Sequence, residues 1–143
     1  MNALLKEFQD FWQHHSEIWE AKADYTEAFP HLLLMAFLQR VVNGGGRVER
    51  EYAAGRGRMD LAIHFGGKWN IIEIKLVSRR GREHTLQVGL KQIIRYRDTW
   101  DNTASCHLVI FDRTPEGRNR SWNERLTWDV VDTGQGTVTV VGA

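Results

Sequence analysis

Apolar side chains at Leu4, Leu5, Phe8, Phe11, Trp12, Ile18 and Trp19 recur every three or four positions, which predicts an amphipathic helix over residues 1–20. A second helix is expected over residues 30–42. Residues 32–37 are too apolar for a surface element, Pro30 suits a first turn, and Gly44, Gly45 and Gly46 end the run. The pattern then changes to alternation and β-branched content over residues 48–53, 59–65 and 69–77, which predicts three strands. A polar, basic loop over residues 78–82 follows. Leu86, Leu90, Ile93, Ile94 and Trp100 restore a helical period over residues 83–100, and residues 106–111 read as a buried strand. Residues 113–123 are a polar loop. The tail offers strands over 126–131 and 137–141, joined by a turn at Thr133, Gly134 and Gly136. The expectation is a single α/β domain in which a three-strand meander is covered by helices and followed by an extra hairpin.

The central hairpin places chemistry as well as strands. If Gly66 and Gly67 form a two-residue turn, Asp60 faces Glu73 across the pair. Lys75 lies two residues beyond Glu73, so all three side chains leave one face of the sheet. The opposite face receives Met59, Leu61, Ile63, Phe65, Ile72, Ile74 and Leu76, and a one-residue slip would bury the charges instead. Directly opposed carboxylates have β-carbons about 4.5–5.5 Å apart and repel. A divalent cation such as Mg²⁺, one shared proton, or the Lys75 ammonium would each neutralise them. A surface hairpin whose charges pair with Arg58 and Lys75 accounts for the spacing equally well. A cation at this pair would lower the pKa of a water and stabilise charge on a phosphate oxygen, which suits phosphodiester hydrolysis.

Composition narrows the class. The 143 residues are 42% hydrophobic with a net charge of +1, which is the make-up of one globular domain and excludes disorder. Two prolines and one cysteine exclude a collagen-like chain, a disulfide scaffold and a metal site of paired thiolates. The small net charge hides an uneven distribution. Residues 40–97 hold 13 Lys and Arg against 5 Asp and Glu, leaving 6 basic and 13 acidic residues elsewhere, and this asymmetry points to an anionic partner. The first twenty residues carry Lys6, Glu7, Asp10, Glu17 and Glu20 and lack the apolar core of a signal peptide. No segment reaches the apolar length of a membrane span. With Cys106 alone inside an apolar run, a reduced, cytoplasmic protein is expected.

Asp60, with Glu73, Ile74 and Lys75, resembles the motif of the PD-(D/E)xK nuclease superfamily, whose restriction-endonuclease-like core runs α-β-β-β-α-β. The resemblance covers residues 24–112, with residues 1–23 as an N-terminal helix and 113–143 as loop and C-terminal hairpin. Met59 stands where the signature names proline. The resemblance implies Asp60, Glu73 and Glu27 as ligands of Mg²⁺ or Mn²⁺, with Lys75 as the catalytic cation. Glu27 follows Asp24 by three residues, which is also a capping box; Glu20 and Glu51 are substitutes. Gln92 and Tyr96, four apart on one helical face, match a Q-x-x-x-Y element and would hold a water or phosphate oxygen and contact nucleic acid. Arg58, Arg79, Arg80, Arg82, Lys91 and Arg95 are then candidate phosphate contacts. Residues 27–31, 55–61 and 69–76 further resemble the C-terminal nuclease-like domain of AAA-type ATP-binding proteins. No phosphate loop of the G-x-x-x-x-G-K-[ST] type is present, so the chain is expected to be an excised domain or a stand-alone relative.

The resemblance therefore implies a metal-dependent nuclease domain acting on DNA. The alternative is a non-catalytic nucleic-acid-binding or regulatory module attached to, or partnering, an ATPase. A dimerising interaction domain is a third reading, and homodimers are common among similar nucleases. His14, His15, His31, His64 and His84 show no ligand-pair spacing for zinc. No G-x-S-x-G elbow supports a serine triad. Trp100, Trp122 and Trp128 are expected to pack.

Overall fold

The structure is a computed structural model that describes residues 1–15, 28–43, 45–54 and 57–143. Its elements are α1 (Asn2–His14), α2 (Ala28–Val42), β1 (Arg47–Ala54), β2 (Gly57–Phe65), β3 (Lys68–Leu76), α3 (Arg82–Trp100), β4 (Ser105–Phe111), α4 (Pro115–Arg118), α5 (Trp122–Arg125), β5 (Trp128–Asp132) and β6 (Thr137–Gly142). The strands form one six-stranded mixed sheet in the order β1-β2-β3-β4-β6-β5. The meander β1-β2-β3 is antiparallel, α3 carries the chain over to β4 parallel to β3, and β6 lies parallel to β4. Among the described residues no helix is long and apolar enough to cross a membrane.

Each face of the sheet is buried under helices. On one face Leu4, Leu5, Phe8 and Trp12 of α1 and Leu34, Leu38 and Val42 of α2 meet Leu61, Ile63, Ile72, Ile74, Val109 and Phe111. The spacing of three and four within each helix produces this stripe. On the other face Leu90, Ile93, Ile94 and Tyr96 of α3 meet Ala62, Ile71, Leu108 and Ile110. Burial on both faces explains why β3 and β4 read as near-continuous apolar runs. Gly89 lets α3 approach the sheet, since a Cβ there would lie 2.7 Å from the Leu108 side chain.

The structure departs from the sequence reading in several places. The C-terminal hairpin is no appendage: β6 pairs with β4 and extends the same sheet. Its first strand starts at Trp128, because Leu126 closes the short helix α5. The expected loop over residues 113–123 contains α4 and the start of α5, capped by Thr114 and Ser121. Arg82 belongs to α3 and not to the preceding loop. Met59 packs with the α3 cluster and not with Leu61 and Ile63. The β2–β3 ladder ends at Leu61↔Ile72, so strict alternation is no longer imposed beyond it. α1 ends at His14, and residues 16–27, which include Ile18 and Trp19 of the expected first helix, lie outside the described residues.

Candidate functional site

The turn that fixes the site is built by Gly66 and Gly67, whose φ values of 63° and 78° allow a two-residue hairpin that side-chain-bearing residues rarely adopt. Phe65↔Lys68 and Leu61↔Ile72 then pair as expected. Continued by one step, that register would put Asp60 beside Glu73. The two acids do not complete the ladder. Asp60 uses Oδ2 to accept the backbone N–H of Ile74 at 2.7 Å, so its carboxylate takes up a strand N–H of β3.

Glu73 is 1% exposed, and its Oε1 accepts a hydrogen bond from Lys75 Nζ at 2.6 Å. Glu73 Oε2 is buried with no hydrogen-bond partner among the described residues. Burial, and next the charge of Asp60, push the Glu73 carboxyl up to about 7, while Lys75 pulls in the other direction. Lys75 itself keeps 23% of its side chain exposed. The result is a buried acid poised near neutrality, held between a second carboxylate and an ammonium that reaches solvent. Perturbed groups of this kind cluster at functional sites. The orphaned Oε2 and the repulsion from Asp60 fit a divalent cation, which Asp60 and Glu73 would hold with water in the remaining positions. Among the described residues no group of three or more His, Cys, Asp or Glu gathers.

The remaining candidates divide. Glu27, with Glu20, lies outside the described residues. Arg58 and Glu51 are placed by backbone only, on β2 and β1. Gln92 and Tyr96 meet each other, Nε2 donating to Oη at 2.6 Å, and Tyr96 is buried in the α3 core. Their pairing is therefore explained by packing. Arg95 is exposed and lies 5.5 Å over the Tyr96 ring, while Lys91 borders a groove with Val131 and Thr133. Arg82 donates to Thr127 Oγ1 at 2.8 Å and so ties α3 to the segment before β5. Arg79 and Arg80 are exposed just past β3. Arg79, Arg82 and Arg120 line a cleft of about 530 Å³ with Ser78 and Asp112, beyond the C-terminal ends of β3 and β4. Clefts outside these strand ends are where open α/β sheets take ligands. His64 shares the Asp60 face, but its ring packs edge-on against Trp69 at 5.1 Å. Cys106 is buried, and burial pushes its thiol up to about 11, which favours the protonated, unreactive form.

Residues 5–114 match the family model described as Domain of unknown function (DUF8371). The chain belongs to the DUF8371 family. The match runs from α1 to the residues just past β4, so Asp60, Glu73 and Lys75 lie inside the DUF8371 region and the β5–β6 hairpin outside it. No curated protein matches the chain.

Sequence reasoning missed two buried polar side chains in this DUF8371 domain, Asn70 at 1% and His107 at 2% exposure. Each interrupts an apolar strand, which was the available signal, since a polar group inside such a run must be bonded or used. Burial above all, helped by positive charge at Met1 and Lys68, pushes the His107 ring down to about 4. The unfolded chain, with an ordinary value of 6.5, then binds the proton first as pH falls, so stability drops between pH 6.5 and 4 and is fully present above. The loss at the bottom of that window is on the order of 3 kcal/mol. An NMR titration should show the His107 ring neutral until near pH 4, and a midpoint near 6.5 would overturn this.

Proposed function

We propose that this domain is a metal-dependent nuclease that hydrolyses phosphodiester bonds of DNA, with a restriction-endonuclease-like α-β-β-β-α-β core. The single observation that carries the reading is Glu73, a buried carboxylate with one oxygen unpartnered, flanked by Asp60 and by the Lys75 ammonium. The order α2-β1-β2-β3-α3-β4, with Asp60 bonded to the Ile74 N–H and Lys75 bonded to Glu73, supports it. So does the exposed arginine pair Arg79 and Arg80 beyond the same strand.

In this reading Asp60 and Glu73 hold Mg²⁺ or Mn²⁺, which when bound supplies a lowered pKa for water and neutralises charge growing on the phosphate. Lys75 has the other duties. Its ammonium leaves Glu73 Oε1 for a non-bridging phosphate oxygen, orienting the phosphorus for in-line attack. The water oxygen loses a proton to solvent as it bonds to phosphorus, the bond to the leaving sugar oxygen breaks, and that oxygen takes up a proton from solvent. Asp60 is held for its part by the Ile74 N–H, which fixes the carboxylate against rotation. Arg79 and Arg80 attract and position the backbone.

The test is cleavage of plasmid and linear DNA with Mg²⁺ or Mn²⁺, comparing the native chain with Asp60→Asn and Lys75→Gln. Metal-dependent cleavage reduced by about a hundredfold or more in each variant is expected, in line with losses of single charge-stabilising groups. Absence of cleavage with either metal overturns the reading. The Glu73–Lys75 ion pair favours one rival, because it neutralises the acid without a cation. A non-catalytic nucleic-acid-binding or regulatory module, serving an ATPase, would show salt-dependent DNA binding and no cleavage.

A further inference from the structure

Among the described residues β5 is the last strand of the sheet, beyond β6. Two bonds at its ends establish which of its backbone groups β6 uses. The Thr133 N–H donates to the Gly136 carbonyl at 3.0 Å, and the Gly142 N–H donates to the Thr127 carbonyl at 2.9 Å. Hydrogen-bonded pairs alternate along an antiparallel ladder, so Asp129 and Val131 bond to β6, while Trp128, Val130 and Asp132 turn their N–H and C=O groups outward. Side chains alternate as well. Trp128 packs with the α1 cluster and Val131 with the α3 cluster, which puts Val130 and Asp132 on the α1 side and Asp129 on the α3 side. Val130 is 66% exposed, the most of any large apolar side chain among the described residues.

An open edge is a template for another strand, and charged side chains normally discourage one. The acids of β5 suit one partner, a second β5 running antiparallel about a two-fold axis through Val130. In that register Val130 meets the partner's Val130, Trp128 meets the partner's Asp132, and Asp129 meets the partner's Val131. The outward-facing residues then bond to one another, and no acid stands opposite an acid. Each acid arrives beside a lysine instead. Lys6 Nζ sits 5.2 Å over the Trp128 ring, so the partner's Asp132 comes to Lys6 on the α1 side. Lys91 borders the groove at Val131, so the partner's Asp129 comes to Lys91 on the α3 side. Lys6, Lys91, Asp129 and Asp132 are all exposed, and none of them is in an ion pair among the described residues. Asp132 accepts the Gly134 N–H through Oδ1, which leaves Oδ2 for the lysine. The two-fold makes each of these contacts twice.

We propose that β5 is a self-association edge, at which two copies of this chain pair β5 with β5 about Val130, joining their sheets and exchanging Lys6–Asp132 and Lys91–Asp129 ion pairs. The edge is separate from Asp60, Glu73 and Lys75, and the dimer does not depend on the nuclease reading.

The experiment is sedimentation equilibrium of the whole chain at low salt, from about 1 μM to about 1 mM, with amide exchange followed by NMR. A monomer–dimer equilibrium is expected, in which the Val130 and Asp132 amides gain protection as concentration rises. Val130→Pro deletes an N–H that β6 does not use, so the fold should be kept and the dimer weakened by about tenfold or more, the size of the two bonds lost. Lys91→Glu sets like charges together and should weaken the dimer by about threefold or more. Asp129→Lys added to Lys91→Glu reverses the pair without touching the backbone, and should restore association. A monomer at every concentration, which would leave the edge to an extended segment of another protein, overturns the proposal. So does a dimer indifferent to Val130→Pro or to Lys91→Glu, or a double variant that fails to recover.

Discussion

Glu73→Gln is expected to make the metal-free protein more stable at pH 8 and to remove its response to Mg²⁺ or Mn²⁺. The carboxyl is pushed up to about 7 by burial and by Asp60, against an ordinary 4.5. Between those values the unfolded chain releases its proton while the folded chain keeps it, so stability falls as pH rises and the penalty is complete above about 7. Its ceiling is on the order of 3 kcal/mol. Glutamine keeps the shape, cannot ionise, and leaves Lys75 free to turn to solvent, so the variant escapes most of that penalty. Urea melts should therefore separate variant and native chain at pH 8, and the difference should vanish below pH 4.5. Added cation reverses the order. A ligand present at about a hundred times its dissociation constant stabilises the native chain by about 2.7 kcal/mol, and the variant, missing one of two carboxylates, should gain almost none of it. An unchanged melt at pH 8, or equal stabilisation of both chains by Mn²⁺, would show that Glu73 neither carries this strain nor holds a metal.

The same residue shows how far sequence reading reaches. Gly66 and Gly67 set the hairpin, because few other pairs allow that turn, and the register runs as expected from Phe65↔Lys68 to Leu61↔Ile72, one step short of Asp60 and Glu73. That inference used only the pleat and the turn. What it could not supply was the bond from Ile74 N–H to Asp60, since an ideal ladder assigns that N–H to a backbone carbonyl. The depth of Glu73 was also invisible, because it depends on the packing of α3, which is set by long-range contacts at Gly89 and Leu108. Gln92 and Tyr96 show another limit of spacing. Their spacing of four gave a shared helical face, and the structure pairs them with each other, a result no spacing distinguishes from a shared ligand. The placement of β6 beside β4 was equally hidden, since a hairpin pattern specifies its own pairing and not the sheet edge it joins.

Phe8→Ala is expected to be among the most damaging single substitutions in the chain. Phe8 is fully buried in α1, and its ring meets four others: Phe11, Trp12 and Phe37, and Phe111 edge-on at 6.1 Å. Removing it empties the junction of α1, α2 and β4, and a phenylalanine truncated in a packed core costs about 3–5 kcal/mol. A domain of this size has roughly 5–15 kcal/mol in total, so the fraction unfolded should rise steeply. The consequence for function is specific to one face. α1 meets the start of β4 through Asn2, which bonds His107, whereas Leu90, Ile93 and Ile94 of α3 pack on the other face of the sheet. If α1 loosens while the sheet and α3 persist, hydrogen exchange should accelerate first in α1 and at the starts of β3 and β4, before it does so in α3. Equal acceleration in α3 would mean that the two layers unfold as one unit, and a stability loss below about 1 kcal/mol would mean that α1 contributes little to the core.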